Sequence, residues 1–157
     1  MNLYEQWLQK ADDIGLSVAE NVPFESQAKG LIYDNCIGLN QNIETTTEKA
    51  CILAEEVIHS QINVGNIRDQ RVPGNTWQER KTRKILHKHL ANVRTIAYLL
   101  KSGYKNLNEI ADEMGITEEL LLEAISGYKE EYGIFIPLED DVLFFEPTLY
   151  LKSQLIG

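Results

Sequence analysis

The stretch KACILAEEVIHSQINVGNI, residues 49–67, lies near the middle of a chain of 157 residues and decides how the chain folds. Thr45 and Glu48, just before it, have the spacing of a capping box, which predicts a helix that begins there and runs to about residue 62. Residues four apart on a helix share one face, so Glu55 and His59 are expected to converge on one point, with Glu56 beside them.

The centre of this helix, Glu55-Glu56-Val57-Ile58-His59, differs by one residue from the zinc-protease signature H-E-x-x-H. In that signature the outer residues bind zinc, and the inner glutamate activates water. A carboxylate is also a zinc ligand, so Glu55 can take the place of the first histidine. Glu79, on the next predicted helix, is the best candidate for a third ligand. The same pattern is common on solvated helix faces, so an ordinary amphipathic helix stays open as the alternative.

The segments on either side predict an α+β fold in which helices dominate. Asp34-Asn35 joins two β-prone runs in a tight hairpin turn, and Met114-Gly115-Ile116 separates two short helices. The other predicted elements are a first helix at 2–14, a short strand within 16–24, a loop at 64–75, a second long helix at 76–101 and a C-terminal hairpin around 139–141.

Length and composition predict a single domain over 1–157, since 43% hydrophobic residues suffice for a core. Within it we expect a peptidase-like core at 1–103, a helical pair at 104–132 and a hairpin with the tail at 133–157. Two cysteines are too few for a disulfide framework. No secretory signal or membrane span is recognisable, so a cytoplasmic protein is expected.

Charge is distributed unevenly along the chain. The net charge of −9 disfavours non-specific binding to nucleic acid or to an anionic membrane. Residues 106–131, which include the helix-turn-helix-like segment LNEIADEMGIT, carry −7, so direct DNA recognition there is not expected. Residues 68–105 carry +8. Their basic stretch RKTRKILHKHL is interpreted as a solvated face, with contact to nucleic acid or to an acidic patch on a partner protein as the alternatives.

Four separated blocks of the chain resemble, in order, the ImmA/IrrE family of metallo-endopeptidases in the short form found in phages and mobile elements. The resemblance covers roughly residues 3–147. The blocks are KGLIYDNCIGLN, TTTEKACILAEEVIHSQINVGNI, QERKTRKIL and NEIADEMGITEELLLEAISGYKEEYG.

This resemblance implies a small zincin-like domain. A short antiparallel sheet would pack against the motif helix and a second ligand helix, followed by the C-terminal helical pair and the terminal β-hairpin. It also implies metal ligands at Glu55, His59 and Glu79, with Glu56 as the catalytic general base. The expected cofactor is Zn²⁺, or another divalent metal such as Mn²⁺.

The chain departs from the family pattern at four positions. Glu55 replaces histidine, Ile58 replaces glycine, and Thr82 and Leu86 replace alanine. Two carboxylates and one imidazole cancel the charge of a divalent ion, so a bound water is acidified less. We therefore expect weaker zinc retention, slower hydrolysis and a shift toward harder metals such as Mn²⁺.

Further residues are assigned supporting roles. Arg83, one turn after Glu79, is expected to orient a carboxylate of the site. His87 and His89 are expected at the surface or partly buried. A substrate peptide is expected to add as a strand to a sheet edge formed by Cys36, Ile37, Gly38 and Leu39.

The expected function is that of a cytoplasmic endopeptidase of a phage or mobile element that cleaves or inactivates a helix-turn-helix repressor. Direct contact with nucleic acid or a membrane is not expected. The alternative is a non-catalytic antirepressor that binds the repressor stoichiometrically and retains the site only as structure.

Overall fold

A computed structural model describes residues 1–62 and 76–154, which form six helices and six strands in a mixed α+β arrangement. The chain divides into two compact units, Met1–Leu86 and His87–Gly157. The elements are α1 (Leu3–Asp13), β1 (Ser17–Val22), β2 (Gly30–Tyr33), β3 (Cys36–Asn40), α2 (Thr46–Ile62), α3 (Thr76–Leu90), α4 (Val93–Lys101), α5 (Leu107–Met114), α6 (Glu118–Tyr132), β4 (Phe135–Pro137), β5 (Asp141–Phe144) and β6 (Tyr150–Ser153).

The sheet of the first unit has the strand order β1-β3-β2. Asp34 and Asn35 adopt positive φ angles of 48° and 63° and join β2 to β3, which confirms the predicted hairpin turn. β1 runs parallel to β3, so the expectation of an antiparallel sheet is wrong for this pair. The chain leaves β1 at Val22 and next forms β2, on the far side of β3. The hairpin then reverses the chain, so β3 lies between β1 and β2 and runs in the same direction as β1.

Helix α2 begins where the sequence predicts. The Thr45 hydroxyl oxygen accepts a hydrogen bond from the backbone N–H of Glu48 at 3.0 Å. The Glu48 carboxylate instead lies 3.6 Å from Nζ of Lys29, so among the described residues only half of the capping box forms. α2 packs against α1, β2 and β3. Its buried apolar residues include Leu53, which is fully buried.

One of the predicted helices is wrong. The long helix expected at 76–101 is two helices, because Asn92 adopts extended backbone angles and caps α4 by accepting a hydrogen bond from the N–H of Arg94 at 2.8 Å. The predicted helical pair is confirmed as α5 and α6. Gly115, with φ 76°, ends α5 in the left-handed conformation that glycine favours.

The C-terminal hairpin is confirmed as β4 and β5, and β6 extends it to a three-stranded antiparallel sheet. Leu143 of β5 is fully buried in this unit. Within the described residues no helix is long and apolar enough to cross a membrane. The predicted loop at 64–75 lies outside the described residues, and the single-domain organisation with boundaries at 103 and 132 stays a prediction.

Candidate metal centre

Helix α2 carries three of the predicted site residues. Glu55 and His59, four residues apart, lie on one face of the helix, and Glu56 lies beside that face. Packing of α2 on the sheet fixes how the helix is turned about its axis. His59 is consequently buried, with 6% of its surface exposed, although its ring is polar.

Helix α3 supplies the other two predicted residues, Glu79 and Arg83, which are also four apart. Oε2 of Glu79 lies 3.1 Å from Nε2 of His59. Nη1 of Arg83 lies 2.9 Å from Oε1 of Glu55. The two helices are therefore joined at the site by two contacts between groups that can carry opposite charges. Arg83 is expected to orient a carboxylate of the site, and the carboxylate that it contacts is that of Glu55.

Glu55, His59 and Glu79 form a group that can hold a metal ion, since one ligand atom from each lies within 4.8 Å of the others. Bonds of about 2.0–2.2 Å to zinc allow two ligand atoms to lie at most about 4.4 Å apart, so a small rotation of a carboxylate completes the fit. Glu79 has room for this rotation because 49% of its side chain is exposed.

The environment of His59 also fits a metal ligand. Neither ring nitrogen makes a hydrogen bond to a described residue, although Nε2 lies close to Glu79. A buried polar atom without a hydrogen bond is costly, and buried polar groups in proteins are nearly always paired. A cation between the three side chains would satisfy Nε2. The donor set of two carboxylates and one imidazole suits a divalent ion.

Glu56 lies beside this group and has an unusual proton affinity. Burial, and after it the negative charges of Glu55 and Glu79, raise the pKa of Glu56 from 4.5 to about 7. A carboxyl group with this pKa gains and loses a proton near neutral pH, which is the property that a general acid–base residue needs.

Gly30, the first residue of β2, is a site residue that the sequence did not identify. A Cβ atom at this position would lie 3.1 Å from Cγ of Glu56 and 2.7 Å from Cγ2 of Ile52. The backbone of β2 therefore passes α2 so closely at Ile52 that a larger residue could not fit without a shift, and it lies against Glu56 as well. A glycine at the start of a β-prone run signals such an approach, but it does not reveal which side chain is approached.

The predicted substrate edge at Cys36, Ile37, Gly38 and Leu39 is wrong. These residues lie in β3, which is paired with β1 on one side and with β2 on the other. Ile37 and Leu39 lie two positions apart on the same face of β3, and both are fully buried in the core. Among the described strands of this sheet, β1 and β2 have an unpaired side, and β2 is the strand whose Gly30 contacts Glu56.

The remaining histidines belong to the second unit and not to the metal group. His89 is exposed, as expected. His87 is buried rather than partly exposed, and its Nε2 lies 3.6 Å from Oε1 of Glu123. Comparison of the chain with models of protein families, with curated proteins and with solved structures found no match.

Proposed function

We propose that this chain is a metal-dependent endopeptidase of the ImmA/IrrE type with a zincin-like peptidase unit. The observation that carries the proposal is the meeting of Glu55, His59 and Glu79 at one point, with Glu56 beside them. Three ligands from two helices, with a carboxyl group of raised pKa next to them, are the parts that metal-assisted hydrolysis of a peptide bond requires.

The protein groups have separate roles in this proposal. Glu55, His59 and Glu79 hold the ion, which when bound polarises a peptide carbonyl and makes water more acidic. Glu56 takes a proton from the attacking water and then donates it to the leaving amine, the general acid–base role for which its place beside the three ligands suits it.

The contact between Arg83 and Glu55 explains how a carboxylate can serve as the first ligand. With two carboxylates, the group neutralises a divalent ion fully, which weakens its acidifying effect on water. The guanidinium of Arg83, 2.9 Å from Oε1 of Glu55, would offset part of the charge of Glu55 while that residue helps to hold the ion. The substitution of Glu for His at this position is therefore paired with a compensating cation on α3.

The substrate strand in this proposal lies along β2 instead of β3. β2 has an unpaired side among the described strands and passes directly beside Glu56 at Gly30. An extended peptide added to such an edge forms main-chain hydrogen bonds. Leu31 and Tyr33 of β2 are exposed at 53% and 85% and offer apolar contacts for alternate side chains of the peptide.

We further propose, on the basis of the resemblance, that the substrate is a helix-turn-helix repressor of the same phage or mobile element. Its cleavage in the cytoplasm would release the element from dormancy. The net charge of −9 supports a protein substrate over direct action on DNA.

A second function, stoichiometric antirepression without cleavage, is favoured by a different observation. Glu55 is already paired with Arg83, and Nε2 of His59 already lies 3.1 Å from Oε2 of Glu79, so contacts hold the group together in part without an ion. A repressor-binding protein could retain these pairs as structure alone.

Replacing Glu56 with Gln separates the two functions. A candidate helix-turn-helix repressor is incubated with wild-type protein and with Glu56→Gln, each loaded with Zn²⁺ or Mn²⁺, and cleavage is followed by mass spectrometry. The endopeptidase proposal expects cleavage by the wild type only, with repressor binding and metal content retained in the variant. The exposed Glu44→Gln serves as the matched control and should cleave normally. Derepression that is equal in wild type and Glu56→Gln, with an intact repressor, supports antirepression instead.

A further inference from the structure

Helix α3 has an outward face formed by Trp77, Arg80, Lys81 and Lys84, which we name the basic face. The spacing of these residues, i, i+3, i+4 and i+7, places them on one side of the helix. All four are exposed, and 64% of the surface of Trp77 is accessible. Thr82 and Leu86, on the opposite side, are buried at 1% each. Glu79 and Arg83 lie on a third side, so the basic face is separate from the metal centre.

Among the described residues, no acidic side chain neutralises the cations of the basic face. In the described part of the chain Arg80, Lys81 and Lys84 form no ion pair, whereas most other cations do. The Lys81 ammonium lies 5.1 Å from the centre of the Trp77 ring. This arrangement combines three positive charges with a large exposed aromatic surface in a chain whose net charge is −9.

These features fit a specific kind of partner. Arginine and tryptophan are enriched in the residues that contribute most to protein–protein binding. Carboxylates of a partner would neutralise the three cations, and an apolar side chain of the same partner would cover Trp77. We propose that the basic face of α3 docks an acidic segment of a partner protein that also carries apolar residues.

Nucleic acid fits the same face less well. The face extends along about 10 Å of helix, and charges interact over about 8 Å at physiological salt. A short acidic segment bound to this face would therefore interact mainly with these cations. A DNA duplex, with one charge for about every 1.7 Å, continues past them along a chain that is negative overall. Binding to single strands relies on several stacked aromatic rings, and this face offers Trp77 alone.

This inference goes beyond the proposed function and does not depend on it. If the metal centre is catalytic, the basic face is a docking site for a protein away from the point of cleavage. If the centre is inert, the face still selects an acidic partner. Loss of metal binding by His59→Ala leaves the docking proposal unaffected, so the two can fail separately.

The test measures binding of defined probes to the full chain. The probe is a short fluorescein-labelled peptide of glutamate and leucine, compared with the same peptide carrying glutamine for glutamate and with labelled single-stranded and duplex DNA. Fluorescence anisotropy should show that the acidic peptide binds tightest and that salt weakens it. Because Trp7 is buried and Trp77 is exposed, the peptide should also shift tryptophan emission to shorter wavelength.

Variants with equal net charge separate docking from general electrostatics. Arg80→Glu combined with Lys84→Glu should weaken peptide binding about tenfold or more. Lys105→Glu combined with Lys152→Glu changes the net charge equally, at exposed and scattered positions, and should change binding less than about twofold. Trp77→Ala should weaken binding without changing net charge. Equal losses in the two double variants, tighter binding of either DNA than of the peptide, or no peptide binding by folded wild-type protein would each overturn the proposal.

Discussion

Nη1 of Arg83 on α3 lies 2.9 Å from Oε1 of Glu55 on α2, so the first candidate metal ligand on α2 has its own counter-ion. This pair links the electrostatics of three groups. Glu55 raises the pKa of Glu56, and Arg83 moderates the charge with which Glu55 does so. The proton affinity of Glu56 is therefore sensitive to a residue on another helix.

Arg83→Ala should raise the pKa of Glu56 above its value of about 7, because the charge of Glu55 then acts on Glu56 without its counter-ion. The measurement is a carboxyl-carbon NMR titration of the metal-free protein. Arg80→Ala, which removes an equal charge on the outward face of the same helix, should leave the titration nearly unchanged. An unchanged or lowered pKa in Arg83→Ala would contradict the electrostatic role given to Arg83.

The free energy of unfolding of the metal-free protein should fall as pH rises from about 5 to about 8, through the titration of Glu56. Its pKa is about 7 in the folded chain and about 4.5 in the unfolded chain, so the folded state binds the proton more tightly. The stabilisation is complete below pH 4.5 and is lost as pH rises through 7. At about 1.4 kcal/mol per pKa unit, Glu56 contributes about 2–3 kcal/mol of the decrease.

Urea unfolding of wild-type and Glu56→Gln proteins at the two pH values measures this contribution together with its coupling to Glu55 and Glu79, because groups that do not interact with Glu56 titrate alike in both. The variant should lose about 2–3 kcal/mol less stability over the same range. Parallel pH profiles for the two proteins would show that Glu56 titrates normally in the folded chain.

Gly30→Ala should destabilise the first unit by about 1–3 kcal/mol, because the added methyl group would lie 2.7 Å from Cγ2 of Ile52 and 3.1 Å from Cγ of Glu56. Gly38→Ala is the matched control in the same sheet. Its nearest contact, with Phe24, is an ordinary 3.5 Å. Thermal unfolding compares the two variants, and equal changes in the midpoint would mean that β2 does not approach α2 this closely.

Metal binding should require His59. Dialysis against Zn²⁺ or Mn²⁺, followed by elemental analysis, should find about one equivalent in the wild type and a loss of more than tenfold in affinity for His59→Ala. His89→Ala, at an exposed position of the second unit, should bind metal normally. Metal binding that survives in His59→Ala would place the ion elsewhere and remove the basis of the peptidase proposal.

Glu55→His should increase the preference for Zn²⁺ over Mn²⁺, because imidazole is a softer ligand than carboxylate. Since Arg83 then loses its contact with Glu55, the clean comparison is between Glu55→His with Arg83→Ala and Arg83→Ala alone. Competition between the two ions for each protein gives the ratio. An unchanged ratio would show that residue 55 does not ligate the ion.

The sequence by itself determined the local features of this protein. The helical repeat placed Glu55 and His59 on one face, Thr45 marked the start of α2, and Asp34-Asn35 defined the hairpin turn. Each of these depends on residues within a few positions of one another, whose geometry the backbone fixes.

Tertiary structure alone decided the rest. It placed β3 between β1 and β2, brought Arg83 on α3 to Glu55 on α2, and brought Gly30 against Glu56. It also made Asn92 the N-cap of α4, where the sequence predicted one continuous helix over 76–101. Strand order and contacts between helices join residues far apart in sequence, and they are selected by packing of the whole unit, which no local pattern specifies.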